Sequence, residues 1–350
     1  MRASLWTAVA AVVVTVFAGQ PAVARPSAGV GPVPVIYDSD MDFDDASTLA
    51  YLCEEHKLGR VDLRAVTVAD NGFGVPQRTL RHARSVLEQC GLPRVPVASG
   101  GLGEGVHPAP AELVATIETV LSGALGDGGR PPYISDVSAT ELIARTVRRS
   151  RQPVMVIATG PLTNIAAALE SRATARRISH VQVMGGALRV PGNLYGSALP
   201  GFDNSQEFNF WMDPVAARDV LRAARPGTVR LVPLDATAAV PITQGFVARL
   251  GADQSAPGAR LTYRIVTQPD LAALIDLGIM YWWDAVAAVS AVHDRGAVAS
   301  FRPERVDVVQ DGVRSGRTVL DPAGRCVEAA YAADTAAFEQ RFLDTLNGRR

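Results

Sequence analysis

Lysine is almost missing from this chain: Lys57 is the only one among 34 basic residues, which face 35 acidic ones for a formal net charge of −1. A near-neutral protein without a lysine-rich patch is poorly suited to a phosphate backbone, so a nucleic-acid binder is set aside. The arginine usage reads as the product of a high-GC genome. The run RTVRRSRQ, Arg145 to Arg151, closes a helix and meets its C-terminal dipole. Cysteine is scarce as well, with three residues, Cys53, Cys90 and Cys326, and no CxxC or Cys/His spacing that would hold zinc. An odd count leaves one thiol unpaired. Cys53 and Cys90 lie near the ends of the first two expected helices, so a bridge between them is expected if the export inferred below permits oxidation. Internal repeats and clean linkers are also missing. Beyond the N-terminus no run is long and apolar enough to span a bilayer. Only the first residues are apolar at length: Arg2, then Leu5 to Ala18, then the small-residue ending Ala22-Val23-Ala24. That is the pattern of a secretory signal peptide over residues 1–24, which predicts a secreted protein with no membrane contact after cleavage. The remaining 25–350 suffices for one large α/β domain with an ample core.

Aspartate, by contrast, is concentrated. Asp38, Asp40, Asp42, Asp44 and Asp45 crowd the stretch VIYDSDMDFDDA. Two carboxylates about 4 Å apart repel by roughly 4 kcal/mol at an effective dielectric near 20, so a folded chain seldom gathers five without a cation. A solvated turn capping a helix accounts for one or two of them, not five. An EF-hand would want glycine at Phe43 and an acidic ligand at Leu49, and a DxDxT phosphatase pattern would want threonine at Asp42. Neither fits. An all-oxygen donor set with adjacent carboxylates suits calcium, which accepts high coordination and irregular geometry.

Val33 to Tyr37 reads as a buried strand and Ala46 to Leu52 as a helix, which places the aspartates at a strand-to-helix turn. The same alternation recurs through VDLRAVTVA, PVMVIAT, ISHVQVMG and VRLVPLD with helical patterns between them. This predicts an α/β fold with an open, mostly parallel sheet flanked by helices, in which ligands bind at the carboxyl edge. The Gly/Pro-rich stretch from Gly100 to Ser135 and the segment Leu188 to Ser205 read as candidate lids. ERVDVVQDGVRSGRTVLD reads as a hairpin and AADTAAFEQRFLDTL as a closing helix. Further polar groups fall at strand ends: Asn71 in ADNGFG, Thr159 in ATGPLTN, Met184 and Asn193 around MGGALRVPGN. In EFNFWMDP, an extended reading puts Glu207 and Asn209 on one side and Phe208 and Phe210 on the other. Asp284 follows Trp282 and Trp283 and reads as a helix N-cap.

Taken together, the order of these motifs resembles the inosine-uridine-preferring nucleoside hydrolase family. The features that carry it are an aspartate cluster DxDxxxDD, the asparagine after the second strand, TGPLTN, MGG with GN, EFN followed by DP, and a late aspartate at a helix start. The resemblance runs from Val33 to about Val289 and implies a Rossmann-like core and cleavage of the N-glycosidic bond of ribonucleosides. It implies calcium held by Asp40, Asp45, Asp284 and the carbonyl of Thr159, with Asp40 also the general base. It further implies that Asp44, Asn71 and Asn209 grip the 2' and 3' hydroxyls, that Asn193 and Glu207 hold the 5' hydroxyl, and that Met184 lines the sugar pocket. Family members commonly associate as homo-oligomers.

Two departures stand out. The common pattern has proline at Met41 and glycine at Asp42. Many members place histidine, the proton donor to the leaving base, where this chain has Trp283. A purine-preferring subgroup resembles this chain in having tryptophan there to stack on the base, with Tyr195 or Tyr281 as candidates for the second wall. The expected activity is therefore calcium-dependent and purine-leaning hydrolysis of small-molecule nucleosides. The alternatives are a secreted nucleoside- or ribose-binding protein that has lost catalysis and a hydrolase of another ribosyl compound.

Overall fold

Every residue of β1 (Val33–Ser39) after Val33 is buried, as suits a central strand covered on both faces. The computed structural model describes residues 31–100, 107–126, 136–194, 203–223, 225, 227–293 and 297–350. The expected signal segment and Tyr195 fall outside these residues. After β1 the chain turns into α1 (Phe43–Lys57), then β2 (Val61–Val68), α2 (Arg78–Gln89) and β3 (Val97–Ser99). Next come α3 (Ala111–Leu125), α4 (Ala139–Arg149), β4 (Val154–Ala158), α5 (Thr163–Leu169), α6 (Arg172–Ala175) and β5 (Ile178–Met184). The second half holds α7 (Phe208–Met212), α8 (Pro214–Ala223), β6 (Val229–Val232), α9 (Leu234–Thr237), α10 (Gln244–Ala252), α11 (Pro257–Val266) and α12 (Pro269–Asp276). It ends with α13 (Trp283–Val292), β7 (Ala299–Val308), β8 (Thr318–Leu320), β9 (Arg325–Ala333) and α14 (Thr335–Leu346).

Among the described residues the strands form one nine-stranded sheet in the order β3-β2-β1-β4-β5-β6-β9-β7-β8. It is parallel from β3 through β6 to β9, and β7 runs antiparallel to both β9 and β8. This is the expected open, mostly parallel α/β architecture. One apolar layer packs α1, α2, α3, α11, α13 and α14 on one face, and a second packs α4, α5 and α8 on the other. β1 lies between β2 and β4, with Ser39 opposite Val68 and Asp38 opposite Ala158. The turns leaving β2 and β4 therefore flank the aspartate turn at one sheet edge, where the crevice of a parallel sheet opens.

Several expectations are corrected. The Gly/Pro-rich stretch read as a candidate lid contains α3, whose fifteen residues are free of proline and start directly after Pro110, while its residues 101–106 and 127–135 lie outside the described ones. EFNF is not extended. Glu207 is the N-cap of α7, and its carboxylate accepts from the amides of Asn209 and Phe210, so a capping side chain overrides the alternation. Asp284 is not the N-cap of α13; that position is Trp282, which has no capping side chain. The Cys53–Cys90 bridge is not formed. Both are buried free thiols, brought together by the packing of α1 on α2, and burial followed by their mutual contact pushes the Cys53 thiol well above its ordinary value.

Candidate active site

The aspartate turn is held in an unusual backbone. Met41 is fully buried and adopts φ 57°, a left-handed conformation that non-glycine residues rarely take. Asp42 caps α1 and completes a capping box, its side chain accepting from the Phe43 amide while its own amide donates to Asp45 Oδ2 at 2.9 Å. Asp45 Oδ1 accepts from the Tyr37 hydroxyl at 2.7 Å and from Thr159 Oγ1 at 2.5 Å. Asp45 is thereby fixed beneath the site by three donors. Its sequence neighbour Asp44 reaches across the molecule, accepting at 3.1 Å from the Asp284 amide, and so supplies the cap that α13 lacks on its own chain.

Asp40 is buried between the turns after β2 and β4. Its Oδ2 accepts from the Phe73 amide at 2.7 Å, and there is no room beside it, because a Cβ at Gly160 would stand 2.7 Å from the Asp40 amide nitrogen. Asp40 and Asp284 each come within hydrogen-bonding reach of the Asp45 carboxyl. Burial above all, and then the neighbouring carboxylates, pushes Asp40, Asp44 and Asp284 well above the usual carboxylate range. Asp38, two residues earlier on β1, is raised to about 7 by burial although Thr67 and Asn164 donate to it. Asp42 is likewise raised to about 7 by burial. Oxygen donors that repel one another this strongly call for a cation, and the hard oxygen set fits calcium. Among the described residues, however, no three acidic, histidine or cysteine side chains already converge as a metal cage. Asp45 Oδ1 already accepts two hydrogen bonds, whereas Oδ2 accepts the Asp42 amide and has a second lone pair to offer a cation.

A cavity of about 960 Å³ opens above this turn. Of the residues anticipated from sequence, Asp40, Asp44, Thr159, Met184, Asn193, Glu207, Asn209, Trp283 and Asp284 all line it. Asn209 donates to the Thr159 carbonyl at 2.8 Å, so the amide occupies one lone pair of the expected carbonyl ligand. Glu207 accepts from the Gly186 amide as well as from its own helix, and Asn193 accepts from the Phe208 amide at 3.0 Å. Two residues are not brought to the wall. Asp45 lies below it, and Asn71 donates to Thr163 Oγ1 at 2.8 Å, which in turn donates to Asp213. The sequence reading missed Tyr37, the donor that anchors Asp45, and Phe73, whose amide holds Asp40. A tyrosine just ahead of an aspartate cluster was the available signal for the first.

The cavity also has aromatic lining. Trp283 packs against Tyr281 at 5.5 Å and edge-on to Phe43 at 6.3 Å, and both Tyr281 and Phe43 line the cavity. Trp282, its neighbour, is entirely core, against Phe246 and Phe342. No histidine lines the cavity among the described residues.

The model of the family described as inosine-uridine preferring nucleoside hydrolase matches residues 35–340. The chain belongs to this family. A pyrimidine-specific ribonucleoside hydrolase RihA of Salmonella paratyphi B is 34% identical over 211 residues, covering 59% of this chain and 61% of that one. The RihA of Citrobacter koseri is 33% identical over 211 residues with the same coverage. The alignment thus spans about three fifths of the length of these relatives. Among solved structures, the inosine-uridine preferring nucleoside hydrolase of Bacillus anthracis superposes with a TM-score of 0.79 at 22% identity, covering 90% of this chain and 99% of that one. A purine-preferring ribonucleoside hydrolase of Gardnerella vaginalis gives 0.71 at 23%, covering 90% and 98%. These structures share the fold with this family member.

Proposed function

We propose that this nucleoside hydrolase family member is a secreted, calcium-dependent enzyme that hydrolyses the N-glycosidic bond of ribonucleosides to ribose and free base, leaning toward purines. The observation that carries the reading is one cavity lined both by Asp40, Asp44, Asp284, Asn209 and Glu207 and by the aromatic Phe43, Tyr281 and Trp283. A ribose needs the first and a base the second. Asp40, Asp45, Asp284 and the Thr159 carbonyl are the calcium donors in this reading. Bound there, calcium supplies charge that lets the carboxylates ionise together and makes a water easier to deprotonate. Asp40, oriented by the Phe73 amide, takes the proton from the attacking water. Asp44 and Asn209 hold ribose hydroxyls, Asn193 and Glu207 face the 5' end, and the buried carboxylates stabilise the oxocarbenium-like sugar.

Asn71 is left out of the sugar grip because its amide is committed to Thr163. With tryptophan rather than histidine at position 283, the base is activated by stacking on Trp283 beside Tyr281, which favours the larger purine surface. The names of the relatives point in both directions, RihA being pyrimidine-specific and the Gardnerella enzyme purine-preferring. Export is supported by the charged, apolar and small-residue segments of residues 1–24. The test is chromatography of free base released from inosine, guanosine, adenosine, uridine and cytidine by the mature protein, with and without a calcium chelator. Chelator-sensitive release is expected, fastest for purines. Silence on all five with ribose still bound would replace the enzyme by a binding protein.

A further inference from the structure

We propose that this site takes ribonucleosides whose base carries a bulky hydrocarbon substituent, an inference that rests on the hydrolase reading above. The cavity has two unlike kinds of lining. Polar groups of the aspartate turn line one part of it, and Leu113, Ile117 and Val120 of α3 line it together with Leu271 and Leu274 of the contacting α12 and with Ile279. The α3 residues recur at the four- and three-residue spacing that places them on one helix face, and that face is turned to the cavity. Apart from Thr116 and the rim residue Glu112, α3 offers the cavity no hydrogen-bonding side chain there, and α12 offers none.

Size points the same way. About 960 Å³ lies near the top of the roughly 300–1,000 Å³ range that encloses drug-sized ligands, more than a plain nucleoside fills. Leu113 and Leu274 are only half-buried, and Ile279 is 49% exposed. Leaving such side chains on a concave wall keeps apolar surface in water, which a hydrocarbon group would cover. Because the wall lines the same cavity as Trp283, Tyr281 and the aspartate turn, what covers it is attached to the base of the same ligand rather than to a separate partner.

The experiment compares matched substrates, adenosine with N6-benzyladenosine and uridine with a 5-phenyl-substituted uridine, using the full mature chain with calcium. For the cleaved pair, the substituted member should show a kcat/KM about tenfold higher, as expected for an added hydrocarbon group that finds a fitted apolar pocket. A ratio at or below unity overturns the proposal. Leu274→Asp should collapse that ratio and Leu274→Met should keep it, with thermal melts showing both folded; an unchanged ratio in Leu274→Asp also overturns it. If no nucleoside is cleaved, the hydrolase reading has failed, and titration of tryptophan fluorescence with the same pairs decides the subsite. Tighter binding of the substituted member supports it, and equal or weaker binding overturns it.

Discussion

Asp40 is wedged between two glycines, and that makes its role testable without changing it. A methyl added at Gly160 would stand 2.7 Å from the Asp40 amide nitrogen, 2.9 Å from Oδ1 and 3.1 Å from Cβ. Carbon contacts relax to about 3.5 Å, so the turn must give by roughly half an ångström or more. At Gly72 the methyl would fall well under 3.0 Å from Oδ2, Cβ and Cγ of Asp40 together, a displacement on the order of 1 Å that also breaks the hydrogen bond donated by the Phe73 amide to Asp40 Oδ2. Neither glycine has a positive φ, so alanine carries no backbone strain of its own and the clash with Asp40 is the perturbation. Misplacing a catalytic group by about 1 Å costs roughly 100-fold. Gly72→Ala should lower kcat about 100-fold and Gly160→Ala roughly tenfold, with overpacking costs of about 1–3 kcal/mol in thermal melts. Gly245→Ala in α10, where the nearest atom is 3.8 Å away, should leave kcat unchanged. The assay is steady-state base release at saturating calcium. A folded Gly72→Ala protein with kcat within threefold of wild type would refute the assignment of Asp40 as base.

Other perturbations probe separate parts of the molecule. Calcium at about 100 times its Kd should add about 2.7 kcal/mol of stability, read as a rise in Tm over the chelated protein that magnesium does not reproduce; identical melts would remove the cation from the carboxylate cluster. Trp283→Ala should slow purine nucleosides more than uridine, and equal losses would discard the stacking role. Burial works to raise the Glu55 carboxyl, but hydrogen bonds from His293, Arg60 and Thr345 and the Arg60 charge outweigh it and set it at about 2, against an ordinary 4.5. A lowered value stabilises the fold fully above about pH 4.5 and is lost as pH falls through 2, so Glu55→Gln should cost about 3 kcal/mol at neutral pH and little near pH 2 in chemical denaturation. A cost independent of pH would contradict that. Intact mass before and after reduction should not change by the two hydrogens of a Cys53–Cys90 bridge.

The parallel half of the sheet was legible because each buried strand is a short apolar run followed by a helical pattern, and the aspartate turn because five like charges stand together at one such junction. Motifs distant in sequence, TGPLTN and the late Trp283-Asp284, meet the cluster because β4 neighbours β1 and α13 docks on α1. What failed did so where one local signal was ambiguous. Alternating Glu207, Phe208, Asn209 and Phe210 mimics a strand, yet the Glu207 carboxylate finds three amides and winds a helical turn. β9 carries charges at Arg325 and Glu328 that hide its pairing, and the apolar wall of the cavity comes from two helices whose contact no linear pattern announces.

The departure at Met41 and Asp42 becomes intelligible only with the turn in view. Proline fixes φ near −65°, whereas Met41 stands at φ 57°, so a chain with proline there would have to take a different path between β1 and α1. Holding a methionine in the left-handed region costs on the order of 1 kcal/mol. Asp42 offsets that cost: it exchanges a capping box with Asp45, so the extra carboxylate is spent on the first turn of α1 rather than added to the donor set. The third anchor on Asp45, beside Tyr37 and Thr159, is the backbone amide of residue 42, which glycine would supply as well. A rigid Asp45 in turn crowds Asp40 and Asp284 against a carboxylate that cannot swing away. What the Asp42 carboxylate itself adds is its charge, which helps to raise Asp40 and Asp44, a pressure that a bound cation would relieve.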